Sequence, residues 1–300
     1  MDILTSLSQN MPLALILAGV FGLCVGSFLN VVIHRTPLIM KRQWRQECAE
    51  FLSNEPDIHP KVKEYLSDTI AKDTPVSLSF PPSRCPNCHH QIRAYENIPL
   101  ISWLILLRGK CSRCGTSISI RYPLVELISA LLSVLMIYSF GATFTGLMAL
   151  IYLWMLIALT GIDFDTQLLP DRLVFPLGMI GLAVNTQNTF TSLTSAVWGG
   201  LLGFLSLWSV ATLYGMITKK EGMGAGDFKL LGAIGAWLGA SMLPLIILLS
   251  ALLGSVVGLI LIKKSGESKP FAFGPYIAIA GIVALLWGQD IMSWYLTLYQ

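Results

Sequence analysis

The sequence predicts an all-α polytopic membrane protein of about eight transmembrane helices, with one large polar lobe. Three observations lead there. Of the 300 residues, 54% are hydrophobic and 12% charged, with a mean hydropathy of +0.67; a soluble domain carries about 25% charged residues. Apolar runs of spanning or near-spanning length recur along the chain. The basic residues fall on alternate connections between those runs.

The runs lie at about 11–33, 123–140, 145–162, 172–187, 194–217, 227–240, 241–262 and 271–288. A span needs ~20 residues, so the fourth and sixth are the weakest candidates. The first run is too long for a signal-peptide core and lacks a basic n-region and a small-residue cleavage site, so a retained helix is expected. With the N-terminus outside, the inside segments are 34–122, 163–171, 218–226 and 263–270. All 20 Lys and Arg fall in these segments or at their edges: Arg35 through Arg121, then Arg172, Lys219, Lys220, Lys229, Lys263, Lys264 and Lys269. Segments 141–144 and 188–193, the turn near 240 and the tail 289–300 hold none. Both termini are therefore expected outside and the 36–122 loop in the cytoplasm. An even number of spans follows, which supports the two short ones. The net charge of +3 gives no argument for nucleic acid as a partner; membrane lipids are the partner this composition implies.

Three domains are expected: a first transmembrane helix (1–35), a cytoplasmic loop (36–122) and a transmembrane bundle (123–300). Within the loop, Gln43–Leu52 and Pro60–Ala71 read as two short amphipathic helices. No internal repeat is evident. Glycine-rich faces recur at Gly199, Gly200 and Gly203, at Gly232, Gly235 and Gly239, and at Gly254 and Gly258. Small residues let membrane helices approach closely, so packing explains them.

The loop carries Cys85-Pro86-Asn87-Cys88 and, after 22 residues, Cys111-Ser112-Arg113-Cys114. Each pair puts two thiolates on one knuckle, and two knuckles can complete a closed tetrahedral shell for a structural zinc ion. A reducing cytoplasm disfavours disulfides. A labile disulfide pair or an iron–sulfur centre would use the same ligands. His89 and His90 follow Cys88 but are not needed as ligands. Cys24 and Cys48 have no partners in sequence. The predicted fold is thus a helical membrane bundle with a cytoplasmic zinc-binding lobe.

Two aspartates sit where a membrane chain tolerates them least. An ionisable group at membrane depth costs roughly 2.5–3.5 kcal/mol even on the cheaper insertion scales. Asp163 ends the run 145–162, within Gly161-Ile162-Asp163-Phe164-Asp165. Asp227 opens another, after Gly222-Met223-Gly224-Ala225-Gly226. Two carboxylates at matching depth suggest an acid/base pair sharing one proton. Asp165 reads as a solvated interface charge and Asp171 as a helix cap. Lys229 is expected to pair with a headgroup or one of the aspartates. The glycines before Asp227 permit tight turns and close approach; with no Gly-Lys-Ser/Thr, phosphate binding is not indicated. Asn30 and His34 share a helix face, and Glu126 lies near a basic residue.

Together these motifs resemble the bacterial type IV prepilin peptidase family. The resemblance covers Gly26-Ser27-Phe28-Leu29-Asn30 through His34-Arg35, both cysteine pairs, Glu96-Asn97-Ile98-Pro99 with Ser102-Trp103, Arg121-Tyr122-Pro123, Asp163 to Asp171, Gly224-Ala225-Gly226-Asp227 and Phe273-Gly274-Pro275. Thr36 stands where the family usually has Leu. The resemblance implies that Asp163 and Asp227 are the catalytic pair of a membrane aspartic endopeptidase in the bacterial inner membrane. It implies prepilin and pseudopilin substrates of type IV pilus and type II secretion systems. These carry a short basic leader ending in Gly, then usually Phe, then an apolar helix. It also implies N-methylation of the new N-terminus with S-adenosylmethionine. No methyltransferase glycine-rich segment is visible, so the sequence does not say which residues hold that donor. Two other function classes compete: a transporter relaying protons through the aspartates, and a non-catalytic assembly factor docking through the zinc lobe. The sequence says nothing of oligomeric state.

Overall fold

A computed structural model describes residues 7, 9–55, 58–71, 75–219, 222–265 and 271–298. Lys72, Lys220 and Lys269, counted above, lie outside the described residues. The described residues are almost wholly helical; two isolated bridges, Arg84 with Gln91 and Lys110 with Ser117, are the only β pairing among them. The long helices are α1 (Met11–Asn54), α2 (Pro60–Ala71), α3 (Arg121–Phe140), α4 (Phe144–Thr166), α5 (Asp171–Asn185), α6 (Leu193–Thr218), α7 (Ala225–Leu238), α8 (Leu243–Ser265) and α9 (Gly274–Thr297). The chain divides into two compact units, one of Met1–Val25 with Ile128–Gln300 and one of Gly26–Leu127.

Each of the eight apolar runs is helical, but among the described residues six helices have the length and hydropathy to cross a membrane. Length and hydropathy alone therefore do not confirm the expected count of eight spans. α5 has 15 residues and α7 has 14, so each is about 21–23 Å long at 1.5 Å per residue, short of a ~30 Å hydrocarbon core. Their setting explains this. From Asp227 to Leu238 nearly every residue of α7 is buried by neighbouring protein, with α5, α6 and α9 packed against it. A helix enclosed by other helices need not match the bilayer.

Glycine sets the closest of these contacts. A Cβ on Gly199 would collide with the Gly235 carbonyl, and one on Gly203 would stand 2.8 Å from the Leu231 carbonyl. α6 and α7 thus meet backbone to backbone, the geometry small residues permit in membranes. At the far end of α7, buried Asn185 donates to the Ala236 and Trp237 carbonyls (3.0 and 2.8 Å) and accepts the Phe190 and Thr191 N–H groups. These bonds satisfy helix-end carbonyls that water cannot reach. Trp237 donates to the Leu177 carbonyl at 2.7 Å. Leu156, Leu159, Leu177, Leu230, Ile234 and Ile277 fill the core around it. The outward faces stay apolar, as lipid requires: Val210, Leu213, Met216 and Ile217 of α6 are all largely exposed.

In the other unit, the expected separate helix at Gln43–Leu52 is the continuation of α1, which runs unbroken through Pro37 to Asn54. Its polar end is rich in Arg, Gln, Glu, Ala and Leu, all good helix formers, so nothing stops it at the membrane boundary. α2 falls on the expected residues and starts on Pro60, a favoured first position. Arg35 donates to the carbonyls of Ser77, Leu78 and Pro81 and so anchors the chain leading to the first cysteine knuckle.

Candidate active site

The site in the helical bundle is built on three helix ends. Asp163 lies one turn before the end of α4, whose last turn closes on Gln167 in the left-handed conformation. Asp227 is the third residue of α7, after the extended Gly224. Gly274 opens α9. The backbone N–H of Gly274 donates to Asp163 Oδ2 at 2.9 Å. Both aspartates are buried, with 4% and 9% of their surface exposed, and the two carboxyl groups are within electrostatic reach of each other. A buried carboxyl persists where donors and a shared proton compensate the lost water.

Glycines let these parts converge. A Cβ on Gly274 would stand 2.7 Å from Asp163 Oδ2, so no side chain fits at the position that donates the hydrogen bond. Pro275, with no N–H of its own, follows it in the first turn of α9. The ring of Phe273 packs where a Cβ on Gly254 would be 2.8 Å away, and Phe271 packs beside Gly258. The α8 glycines thus receive the aromatic segment that presents Gly274.

The other acids of the first motif have different surroundings. Asp165 is exposed. Asp171 is the first residue of α5, after Pro170, and takes a two-pronged contact from Lys229 Nζ at 2.8 and 2.9 Å. Lys229 therefore pairs with Asp171, and its ammonium also lies 5.6 Å from the centre of the Phe175 ring.

In the Gly26–Leu127 unit, the four cysteines converge. Their Sγ atoms all lie within 4.8 Å of one another, with Cys85 to Cys114 at 3.7 Å and Cys88 to Cys111 at 3.9 Å. A tetrahedral zinc site with Zn–S of ~2.3 Å has S–S edges of about 3.8 Å, whereas a disulfide needs ~2.05 Å. The cluster fits a four-coordinate metal such as zinc, not cystine. The knuckles repeat one turn: His89 N–H bonds to the Cys85 carbonyl and Gly115 N–H to the Cys111 carbonyl. Both His89 and Gly115 have positive φ. That local repeat, 26 positions apart, was not evident from the residues alone because His and Gly occupy the strained position. His90 turns to Glu96 at 3.4 Å. Buried Glu96 also accepts the Arg93 N–H and the Ser112 hydroxyl, so it joins the two knuckles. The Arg93 N–H, then Ser112, holds this carboxyl below the usual Glu range. Cys24 and Cys48 are exposed free thiols.

Residues 20–140 match the bacterial peptidase A24 N-terminal domain, and residues 150–259 match the type IV leader peptidase family. A prepilin leader peptidase/N-methyltransferase of Stutzerimonas stutzeri is 51% identical over 288 residues, 95% of either chain. One from Aeromonas hydrophila is 48% identical over 300 residues, 99% of either chain, and one from Pseudomonas aeruginosa is 50% identical over 288 residues, 95% of this chain and 94% of its own. The chain belongs to the type IV leader peptidase family. No solved structure matches it.

Within this peptidase, the residues that reasoning from sequence missed are main-chain and small. Gly274 stands in Phe273-Gly274-Pro275, and a Gly-Pro pair opening a helix is the signal that marks it. Leu169, which packs against both Gly226 and Gly274, gave none. Asn30 donates to the Tyr122 carbonyl at 3.1 Å, while His34 on the same face is exposed. Glu126 is buried and accepts the Leu100 N–H at 2.9 Å and the Ser27 hydroxyl.

Proposed function

We propose that Asp163 and Asp227 are the catalytic pair of this membrane peptidase. The enzyme cleaves prepilin leaders and methylates the new N-terminus, as its family membership and its relatives' names support. The observation that carries the residue assignment is the convergence of two buried carboxyl groups at helix ends, one of them held by the Gly274 N–H. Two close carboxyls do not both ionise cheaply, so they hold one proton between them. The ionised partner takes a proton from water as that water attacks the scissile carbonyl. The neutral partner polarises the carbonyl oxygen, and a proton then passes to the leaving amine. No acyl-enzyme forms. The Gly274 N–H keeps the Asp163 carboxyl in one orientation throughout.

The substrates are prepilins and pseudopilins whose apolar helix lies in the bilayer and presents a Gly–Phe bond at the cytoplasmic rim. The distribution of basic residues supports an inner-membrane topology with both termini periplasmic and the 36–122 loop cytoplasmic. Cys85, Cys88, Cys111 and Cys114 hold a structural zinc ion, for which their spacing fits. With four thiolates the shell is closed, so zinc supplies rigidity and no open coordination position. S-adenosylmethionine serves as the methyl-donating co-substrate for the freed amine, which must first lose its proton.

Cleavage of a synthetic prepilin peptide by purified protein is the test. Asp163→Asn and Asp227→Asn should each abolish cleavage while the protein still inserts in the membrane. Near-normal processing by either variant removes that residue from the mechanism.

A further inference from the structure

We infer that residues 98–107 of the cysteine lobe dip into the bilayer leaflet at which α3 begins, and that they favour anionic lipid there. The stretch lies in the large polar region, between the two cysteine knuckles, yet its only polar side chain is Ser102. Ser102 is buried, whereas Ile101, Leu104, Ile105 and Leu106 are 51%, 59%, 68% and 53% exposed. That pattern is inverted for a surface that meets water. A contiguous exposed apolar patch of this kind marks contact with lipid or protein. Val210, on the lipid-facing side of α6, is exposed to a similar degree, 65%. The helical turn Ser102–Leu106 has five residues, roughly 8 Å even at the α-helical rise. It is far too short to cross a ~30 Å hydrocarbon core, so it lies within one leaflet.

A hydrogen bond sets the depth. The Leu100 N–H donates to Glu126 Oε2 at 2.9 Å, and Glu126 lies about 8 Å along α3 from Arg121. α3 is long and apolar enough to cross a membrane, and its Leu124 and Leu127 are exposed. The apolar patch thus begins beside the first turns of a spanning helix. Its backbone suits that place. The N–H groups of Ser102, Leu104, Leu107 and Gly109 donate to the carbonyls of Ile98, Leu100, Ser102 and Trp103. Little of the main chain therefore asks for water. The chain leaves through Arg108 and Gly109, both at positive φ. A Cβ on Gly109 would stand 3.2 Å from the Trp103 ring, whose Nε1–H donates to the Ile118 carbonyl at 3.3 Å. Charge decides between lipid and other apolar partners. From 97 to 125 the chain has Arg108, Lys110, Arg113 and Arg121 and no Asp or Glu. Each basic residue near an anionic surface strengthens attraction roughly fivefold. The same charges repel a basic prepilin leader.

The test uses full-length protein in vesicles of phosphatidylethanolamine and phosphatidylglycerol. The photoreactive residue p-benzoylphenylalanine replaces Ile105, or Val210 as the lipid-facing reference, and mass spectrometry identifies the adducts after irradiation. Position 105 should capture lipid to an extent comparable with position 210. No lipid adduct at 105, where 210 gives one, overturns the inference. So does an adduct that joins 105 to a second copy of the chain, which would make this face a protein interface. Position 104 decides alone if the variant at 105 fails to insert. Arg108→Gln combined with Lys110→Gln should lower the phosphatidylglycerol share of the adducts at 105 by about fivefold. An unchanged share overturns the preference for anionic lipid.

Discussion

Asp163 is oriented by a main-chain donor that only glycine can supply. Gly274→Ala places a methyl group where 2.7 Å separates it from Asp163 Oδ2, and the 2.9 Å hydrogen bond cannot survive that contact. A hydrogen bond to a charged group contributes ~1.5–3 kcal/mol. Gly274→Ala should therefore lower kcat/KM on a prepilin peptide about ten- to a hundredfold with the protein still inserted. Retention of full activity in this variant would show that the donor is dispensable. Glu96 is the corresponding residue of the cysteine lobe. Because its carboxyl is held below the usual range, its contribution is complete above the ordinary Glu value of ~4.3 and is lost as pH falls through the lower folded value. Hydrogen-exchange protection of residues 85–117, taken relative to the intrinsic rate at each pH, should therefore fall in acid, and Glu96→Gln should flatten that response.

At the scale of elements, two contacts hold α7 in place and differ in strength. The glycine seam with α6 allows no added volume. Gly199→Leu forces a side chain into the Gly235 backbone, and overpacking of a tight core costs ~1–3 kcal/mol or more. The Lys229–Asp171 pair is partly exposed, 30% and 50% by side chain, and such pairs contribute ~0.2–1 kcal/mol. Thermal unfolding in detergent should therefore show a large loss for Gly199→Leu and a small one for Lys229→Ala. The reverse order would mean that the ion pair, not the seam, positions Asp227. The glycine stripes were legible as packing faces. Their partners were not, because a small residue states only that something approaches closely. The pairing of Lys229 with Asp171 was one of several open choices, since 58 positions of chain separate them and only the packing of α5 on α7 brings them together.

For the whole molecule, the balance between membrane bundle and polar lobe follows from composition, and the cysteine spacing predicts that the lobe takes up a metal. Purified protein should contain about one zinc ion per chain, and Cys85→Ser or Cys111→Ser should abolish stoichiometric zinc and reduce cleavage through a loosened lobe. Metal analysis that finds no zinc in active protein rejects the closed site. The eight apolar runs all became helices, but among the described residues six have the length and hydropathy of a span exposed to lipid. Hydropathy counts apolar residues without saying what solvates them, and α7 is surrounded by protein where α6 faces lipid.

The sequence by itself determined the helical membrane class, the four-thiolate cluster, both aspartates and the family. Each is written in local chemistry: hydropathy over a run of residues, ligand spacing on a knuckle, or a charge where lipid forbids one. The tertiary structure decided which helices are enclosed, that Gly274 holds Asp163, that Leu169 packs against both Gly226 and Gly274 and that Lys229 belongs to Asp171. These relations join residues up to 111 positions apart. They depend on close approach of backbones, and glycine leaves no chemical mark in a sequence to say what it approaches.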